Sequence, residues 1–395
     1  MRQTKPGKNT KARFLSYLTG TDRRPPLDTG HTRPSIGVVE GTGIGREIVG
    51  AALQVLTATG QVLGLQFDVQ AGGQIGEEAM GGSGGGLPEG LEEFFTAVFE
   101  RGGAILSGPG GGRYVYDLRR RFDLFCKFAP VRPWPELARA AKLVPRHLQG
   151  VDFLIVRDNS GGVYQGTWSE RVQDECRIAE HSFRYSEAEV QRLVEVAAHA
   201  AGCRRGKLHV IVKDGGVPAV SALWHDVGAS VARKRGVAVA FMNADFAAYQ
   251  LIQSPVEFDV IAAPNLIGDI LADVAGVLVS SRGVTFSGNF NAAGHGVYQT
   301  NHGCAQDLAG TDTANPAGQI LALAMLLRES FGLEEAATLI EQSLAHVWRR
   351  GWRTADLAEP GCSILGTRAF TEQVVEQILR QSDARTAHEP CVAAG

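Results

Sequence analysis

From residue 35 the chain alternates short apolar runs with longer segments whose apolar positions return every three to four residues. Ile36-Gly37-Val38-Val39 reads as a buried strand, Gly41-Thr42-Gly43-Ile44-Gly45 as a turn, and residues 47–63 as a helix. Strand-like runs recur at 103–106, 153–156, 208–212, 237–241 and 258–263. Between them the clearest helix opens with Ser186 and Glu189 at capping-box spacing, and Val190, Leu193, Val194, Ala197, Ala198 and Ala201 share one face. Residues 315–379 are mostly helical, most strongly at 320–328 and 333–348. Strands alternating with helices predict an α/β fold built on a largely parallel sheet. No internal repeat is visible, and the tail after Arg380 is expected to fray.

Composition narrows the function classes. A chain of 395 residues with 44% hydrophobic content has room for two or three domains with true cores. With 39 Lys+Arg against 42 Asp+Glu the net charge is −3, so no global basic field exists to hold nucleic acid or an anionic membrane. Any anion site must be local. The six cysteines form no CxxC pair, which argues against a disulfide framework or a structural zinc site. No apolar run reaches the roughly 18 residues of a membrane span, no secretory leader is apparent, and a cytoplasmic location is expected. Residues 1–34 are basic, with Arg2, Lys5, Lys8, Lys11, Arg13, Arg23, Arg24 and Arg33 against Asp22 and Asp28, and read as a flexible extension.

Three patterns carry candidate chemistry. The glycine turn after the first strand suits either close approach to a cofactor or an ordinary strand-to-helix turn, and its third glycine falls too early for a dinucleotide fingerprint. Asp269 and Asp273 stand four apart at the start of a predicted helix and share a face. They are either ligands for a hard divalent ion or a solvated first turn. Arg119 and Arg157 lie beside apolar segments, where a guanidinium either grips a carboxylate with two parallel hydrogen bonds or makes a surface salt bridge.

Five ordered segments together resemble the metal-dependent β-decarboxylating dehydrogenases of the isocitrate, 3-isopropylmalate, homoisocitrate, tartrate and D-malate type. Residues 41–47 resemble the GDGIGPE loop, Leu118-Arg119 with Asp123-Leu124-Phe125 the LRxxxDLY segment, and residues 157–166 the REN(T/S)EGxYxG segment. Residues 265–273 resemble NLFGDILSD, and residues 302–310 with Ala314-Asn315-Pro316 resemble HGSAPDIAGxxxANP. The resemblance implies an isopropylmalate dehydrogenase-like two-domain fold, with parallel and mixed sheets flanked by helices and an interdomain active-site cleft. Residues 35–124 plus 281–385 would form the large cofactor-binding domain, residues 125–280 the small substrate and dimerisation domain, and residues 386–395 a flexible tail.

Roles follow from the same resemblance. Asp245, Asp269 and Asp273 would hold Mg²⁺ or Mn²⁺, Lys213 would take the substrate hydroxyl proton, and Tyr164 would protonate the enol. Lys213 and one aspartate would come from the partner subunit, which implies a homodimer with shared sites. Arg119 and Arg157 would grip a small 2-hydroxy acid. Gly43, Ile44, His302, Gly303, Ala305, Asp307, Leu308 and Asn315 would line the cofactor. Asp307-Leu308 stands where many NADP-using relatives carry Lys-Tyr, so NAD is favoured.

The departures bear on the substrate. Phe128-Ala129-Pro130-Val131 replaces LRPV and removes the middle of three substrate arginines; Lys127 or Arg132 could supply charge from an adjacent position, but neither reproduces a planar fork at the same place. Asp214-Gly215-Gly216 follows Lys213 where a small residue and Asn are usual, Thr42 replaces the loop Asp, and Arg282 enters an apolar run. Residues 108–117 lack the features that select isopropylmalate or isocitrate, while Arg113 and Tyr114 offer polar contacts or a solvated loop. The expectation is NAD-dependent oxidative decarboxylation of a substituted malate other than those two. The alternatives are a non-catalytic regulatory homologue and a tartrate- or D-malate-like dehydrogenase.

Overall fold

The apolar runs pair into one sheet. The computed structural model describes residues 33–73, 75 and 87–386; most of the basic segment 1–34 and residues 387–395 fall outside them. The strands are β1 (Ser35–Val39), β2 (Asp68–Ala71), β3 (Ala104–Ser107), β4 (Cys126–Val131), β5 (Phe153–Asp158), β6 (Thr167–Gln173), β7 (Cys176–Ser182), β8 (Lys207–Val212), β9 (Ala238–Asn243), β10 (Val260–Ala263), β11 (Phe286–Phe290) and β12 (Gly296–Thr300). Ten of them form a sheet in the order β2-β1-β3-β12-β11-β4-β5-β10-β8-β9, and β6–β7 is a separate antiparallel hairpin. Both flanks of the sheet are parallel, while β4 and β11 at its centre run against their neighbours. Strands from 35–124 and 281–300 occupy one half of the order and strands from 125–280 the other, and they meet at the β11–β4 pair.

The helices are α1 (Gly45–Leu63), α2 (Glu89–Glu100), α3 (Tyr114–Arg121), α4 (Glu187–Cys203), α5 (Pro218–Arg235), α6 (Ala244–Gln253), α7 (Asn265–Ala275), α8 (Ala317–Phe331), α9 (Glu334–Arg349) and α10 (Thr367–Thr386). They cover both faces, because successive strand residues point to opposite sides. On β5, Leu154 and Val156 enter the large core with α4, while Phe153 and Ile155 enter a second core with Leu271 and Ala272 of α7. Isoleucine 105 of β3 packs with Phe95 and Val98 of α2 in a third. α8 is buried along nearly its whole length, as a helix apolar on all sides must be.

The predicted strands and helices form within a few residues of the sequence reading, and the predicted parallel α/β sheet is present. The tail corrects one expectation, since α10 runs to Thr386 and continues in regular helix past Arg380.

The turn before α4 forms as its spacing predicts. Ser186 accepts from the Glu189 amide at 3.3 Å and the Glu189 carboxylate accepts from the Ser186 amide at 2.7 Å, satisfying two donors that the helix start would leave open. Ser186→Ala is therefore expected to cost about 1 kcal/mol of stability in a urea titration.

Candidate active site

The C-terminal end of β5 organises the site. Arg157 is its penultimate residue and is almost fully buried. After it the chain turns at once: the Asp158 carboxylate accepts from the Ser160 hydroxyl at 2.7 Å, the Ser160 amide at 3.1 Å and the Gly161 amide at 2.9 Å. Gly162 takes φ +73°, and a Cβ there would stand 2.4 Å from the Tyr185 hydroxyl, so both conformation and space demand glycine. This turn folds Tyr164 back until its ring lies 5.7 Å from the Arg157 guanidinium.

The start of α7 meets this strand end. The Tyr185 hydroxyl accepts from the Asn265 amide at 2.9 Å, and the Asn265 side chain reaches back to the Gly161 carbonyl at 2.9 Å. Arg157 donates to the Asn265 side-chain oxygen Oδ1 through Nη2 at 2.9 Å and pairs with Asp269 through Nη1. The Tyr164 hydroxyl donates to the other Asp269 oxygen at 3.0 Å. Burial raises the Asp269 pKa, and the positive field of Arg157, Lys127 and Arg119 with the Tyr164 hydrogen bond more than offsets it, leaving it below the ordinary value. Tyr164 is pushed the other way by burial and by the Asp269 charge, so the phenol keeps its proton.

Two further cations converge here. Lys127 stands directly across from Arg157 in the β4–β5 ladder and is 3% exposed. Arg119, near the end of α3, is 6% exposed, and its guanidinium lies 5.7 Å from the Tyr116 ring. Burial and then the Arg157 charge lower Arg119 to about 9, and the same causes hold Lys127 well below its ordinary value. Among the described residues neither cation makes a hydrogen bond or ion pair, and the Arg119 Nε is buried without an acceptor. Arg113 lies beside them, donating to the Tyr164 carbonyl at 3.1 Å and stacked 5.1 Å from the Tyr116 ring and 4.8 Å from the Trp168 ring of β6. Tyr114 is buried in the core, so of the two loop residues only Arg113 faces the site.

The three predicted metal-binding carboxylates do not meet within one chain. Asp269 pairs with Arg157, Asp273 with Arg282 at 3.0 Å, and Asp245 with Lys213 at 2.8 Å. No group of three metal-ligating side chains assembles among the described residues. Lys213 and Asp245 sit on the exposed ends of β8 and α6, and the Lys213 hydrogen bond lowers the Asp245 pKa.

The predicted cofactor residues do come together. The Ile44 amide donates to the Cys304 carbonyl at 2.9 Å, and Glu47 accepts from the Gly310 amide. Gly43 has φ +58°, and a Cβ on it would fall 2.0 Å from the Cys304 carbonyl oxygen. Ala305 is held in the left-handed region, and Gly303, Asp307 and Leu308 stay exposed beside it. His302 donates through Nδ1 to the Gly303 carbonyl at 2.9 Å; its buried Nε2 has no partner among the described residues, and burial lowers its pKa. Asn315 is already engaged, with its amide on Asp356 at 3.0 Å and its oxygen accepting from Ala317 at 2.9 Å. A groove of about 380 Å³ lined by Arg46, Glu47, Gln54, Asp312 and Arg368 lies between α1 and the start of α10 and contains none of the catalytic candidates.

Sequence reasoning missed Asn265, Tyr116 and the use of Arg282. Asn265 opens the quoted 265–273 segment, and its position at a helix start was the available signal. No pattern in the sequence shows that Arg282 pairs with Asp273, because the two meet only through the fold.

The family model for isocitrate/isopropylmalate dehydrogenases matches residues 35–378. The 3-isopropylmalate dehydrogenase of Geobacillus kaustophilus is 36% identical over 358 residues, covering 87% of this chain and 95% of that one. The Aquifex aeolicus 3-isopropylmalate dehydrogenase is 33% identical over 365 residues, covering 89% and 99%. Among solved structures, isocitrate dehydrogenase from Methylococcus capsulatus superposes with a TM-score of 0.78 at 29% identity, covering 88% of this chain and 99% of that one.

The glycine-loop contact yields a direct test. Gly43→Ala puts a side chain in the left-handed region against a backbone oxygen and is expected to cost about 1–3 kcal/mol, read by urea unfolding.

Proposed function

The chain belongs to the isocitrate/isopropylmalate dehydrogenase family, and from that membership we propose that it catalyses NAD-dependent, Mg²⁺- or Mn²⁺-dependent oxidative decarboxylation of a substituted malate-type 2-hydroxy acid other than isocitrate or 3-isopropylmalate. It would act in the cytoplasm as a homodimer, with residues 35–124 and 281–385 binding cofactor and residues 125–280 binding substrate and partner. The observation that carries the reading is the buried cluster of Arg119, Lys127 and Arg157 beside a protonated tyrosine hydrogen-bonded to Asp269.

Arg119 and Arg157 bind the carboxylates of the 2-hydroxy acid. In a wall this dry each charge-assisted pair is stronger than it would be in water. Asn265 holds the Arg157 fork in plane, so little order is lost when substrate arrives. Lys213 accepts the substrate hydroxyl proton as the carbinol carbon is oxidised. Tyr164, which keeps its proton, delivers it to the carbon that loses CO₂.

Asp269 and Asp273 share one face of α7, and carboxylate oxygens are the donors a hard divalent ion requires, so these two with Asp245 of a second protomer fit the family's metal. When bound, the ion supplies charge stabilisation for the oxygen that turns negative during CO₂ loss. The exposure of Lys213 and Asp245 leaves both open to a second subunit and supports a site completed across subunits. Gly43, Ile44, His302, Gly303, Ala305, Asp307 and Leu308 border the NAD site, and the exposed Asp307 carboxylate suits ribose hydroxyls and repels a 2′-phosphate.

The test follows NADH and CO₂ separately with malate, tartrate and 3-substituted malates in the presence of Mn²⁺. Arg157→Met is expected to lower kcat/KM by roughly 30- to 1,000-fold on the substrate used, the loss of a charge-assisted hydrogen-bond pair. No NADH from any member of the panel would refute the reading and favour a non-catalytic homologue. Calorimetric titration with Mn²⁺ should show binding that Asp269→Asn or Asp273→Asn abolishes. Asp307→Lys should shift preference from NAD towards NADP, and a wild type that uses both equally would refute the assignment of Asp307.

A further inference from the structure

Ala129 cannot bind an anion, and its surroundings would not welcome a cation either. It lies across from Ile155 and packs in the second core with Val131, Leu148 and Leu271. Lys127 is two residues earlier on the same face of β4, roughly 7 Å nearer the end of the sheet where Arg157 stands. Its neighbours across the ladder are Arg157 and the polar Asn289. A lysine buried there, with no acid paired to it among the described residues, is costly, because a buried charge needs a partner. Arg119 bears the same cost in the same place, with its buried Nε lacking an acceptor.

Two unpaired buried cations beside a third describe a cradle for a dianion. The third, Arg157, already gives one hydrogen to Asp269, whereas the buried Arg119 Nε has no acceptor and Lys127, 3% exposed, makes no ion pair among the described residues. The wall beside them is Tyr116, Tyr164 and Arg113, with the two tyrosine rings 4.9 Å apart and Arg113 stacked over Tyr116. These groups offer hydroxyl and guanidinium donors and no aliphatic surface for a branched alkyl group.

We propose that Lys127 supplies the third substrate cation in place of the arginine absent at Ala129, and that with Arg119 and Arg157 it binds both carboxylates of a malate-type dianion whose C3 substituent is absent or polar. The inference deepens the function proposed above and rests on the same site. The ammonium is a point donor with three hydrogens, so it accepts a carboxylate or a neighbouring hydroxyl without the planar register a guanidinium imposes. Tartrate and unsubstituted malate fit that arrangement better than a malate bearing an isopropyl group.

The experiment measures binding apart from turnover. Malate, tartrate and 3-isopropylmalate are titrated calorimetrically into the wild-type protein with Mn²⁺ and without NAD. Malate or tartrate is expected to bind at least roughly tenfold more tightly than 3-isopropylmalate, the effect of leaving a buried polar group unanswered. Lys127→Met should weaken malate binding by roughly 10- to 100-fold, the range of one hydrogen bond to a charged group, and Lys127→Arg should recover part of it. Lys127→Met should melt no lower than wild type, since it removes a buried unpaired charge, and this separates lost binding from lost folding. Equal malate binding by wild type and Lys127→Met, tighter binding of 3-isopropylmalate, or no dicarboxylate binding at all overturns the inference. Lys127-dependent binding without NADH formation in the turnover panel would overturn the proposed reaction and leave this assignment standing.

Discussion

The ion pair and hydrogen bonds that Arg157 makes with Asp269 and Asn265 tie the end of a central strand to the start of α7. A guanidinium emerging from a sheet edge has many rotamers, and only fixed acceptors on two sides make it a rigid fork. Here the acceptors come from the first turn of a helix whose position depends on the Asp158 turn, the Tyr185 hydroxyl and the packing of Leu271 below it. Tyr164 reaches Asp269 only because Gly161 and Gly162 let the chain fold back against Tyr185. Moving any of these parts moves the tyrosine, the arginine and the carboxylate together.

Charge balance then explains the rest of the site. Each of the three carboxylates assigned to the metal carries a cation of this chain: Arg157, Arg282 or Lys213. An unpaired carboxylate is a bare negative charge, and each of these pairs offsets it within the chain. The cation side is left in excess: the Arg119 Nε is buried without an acceptor, and Lys127 is buried with no ion pair among the described residues. The chain thus holds its acids quiet and leaves its bases unsatisfied, which is the polarity an anion-binding pocket needs.

Much of this was legible in the sequence where local pattern and chemistry coincide. The buried strands β1, β5, β8 and β10 announce themselves as apolar runs, and Ser186 with Glu189 marks the start of α4. The identities of Arg119, Tyr164, Arg157 and Asp269 could be read from their segments, and the fold brings these four together. The central strands β4, β11 and β12 were not legible. Lys127 in β4 and Ser287, Gly288 and Asn289 in β11 break the apolar signal, because these strands carry polar residues into the interior. The antiparallel pairing of β11 with β4 is a long-range choice that no local window contains. The same limit hid the pairing of Lys127 with Arg157 across the ladder, which turns an unusual lysine into part of a cradle.

The segment after Lys213 shows how such a site absorbs a departure. Asp214 adds a second acid beside the lysine, and an unrestrained carboxylate there would compete with Asp245 for the ammonium. It is restrained on both oxygens, one against the His225 ring at 3.0 Å and the other by the Asn243 amide at 3.3 Å. Asn243 also accepts from the Asp214 backbone amide at 2.9 Å, fixing the turn. Lys213 is left to pair with Asp245 at 2.8 Å. The extra acid is thus held by hydrogen bonds from residues of the neighbouring strand and helix, and the lysine–aspartate pair is kept at the end of the sheet.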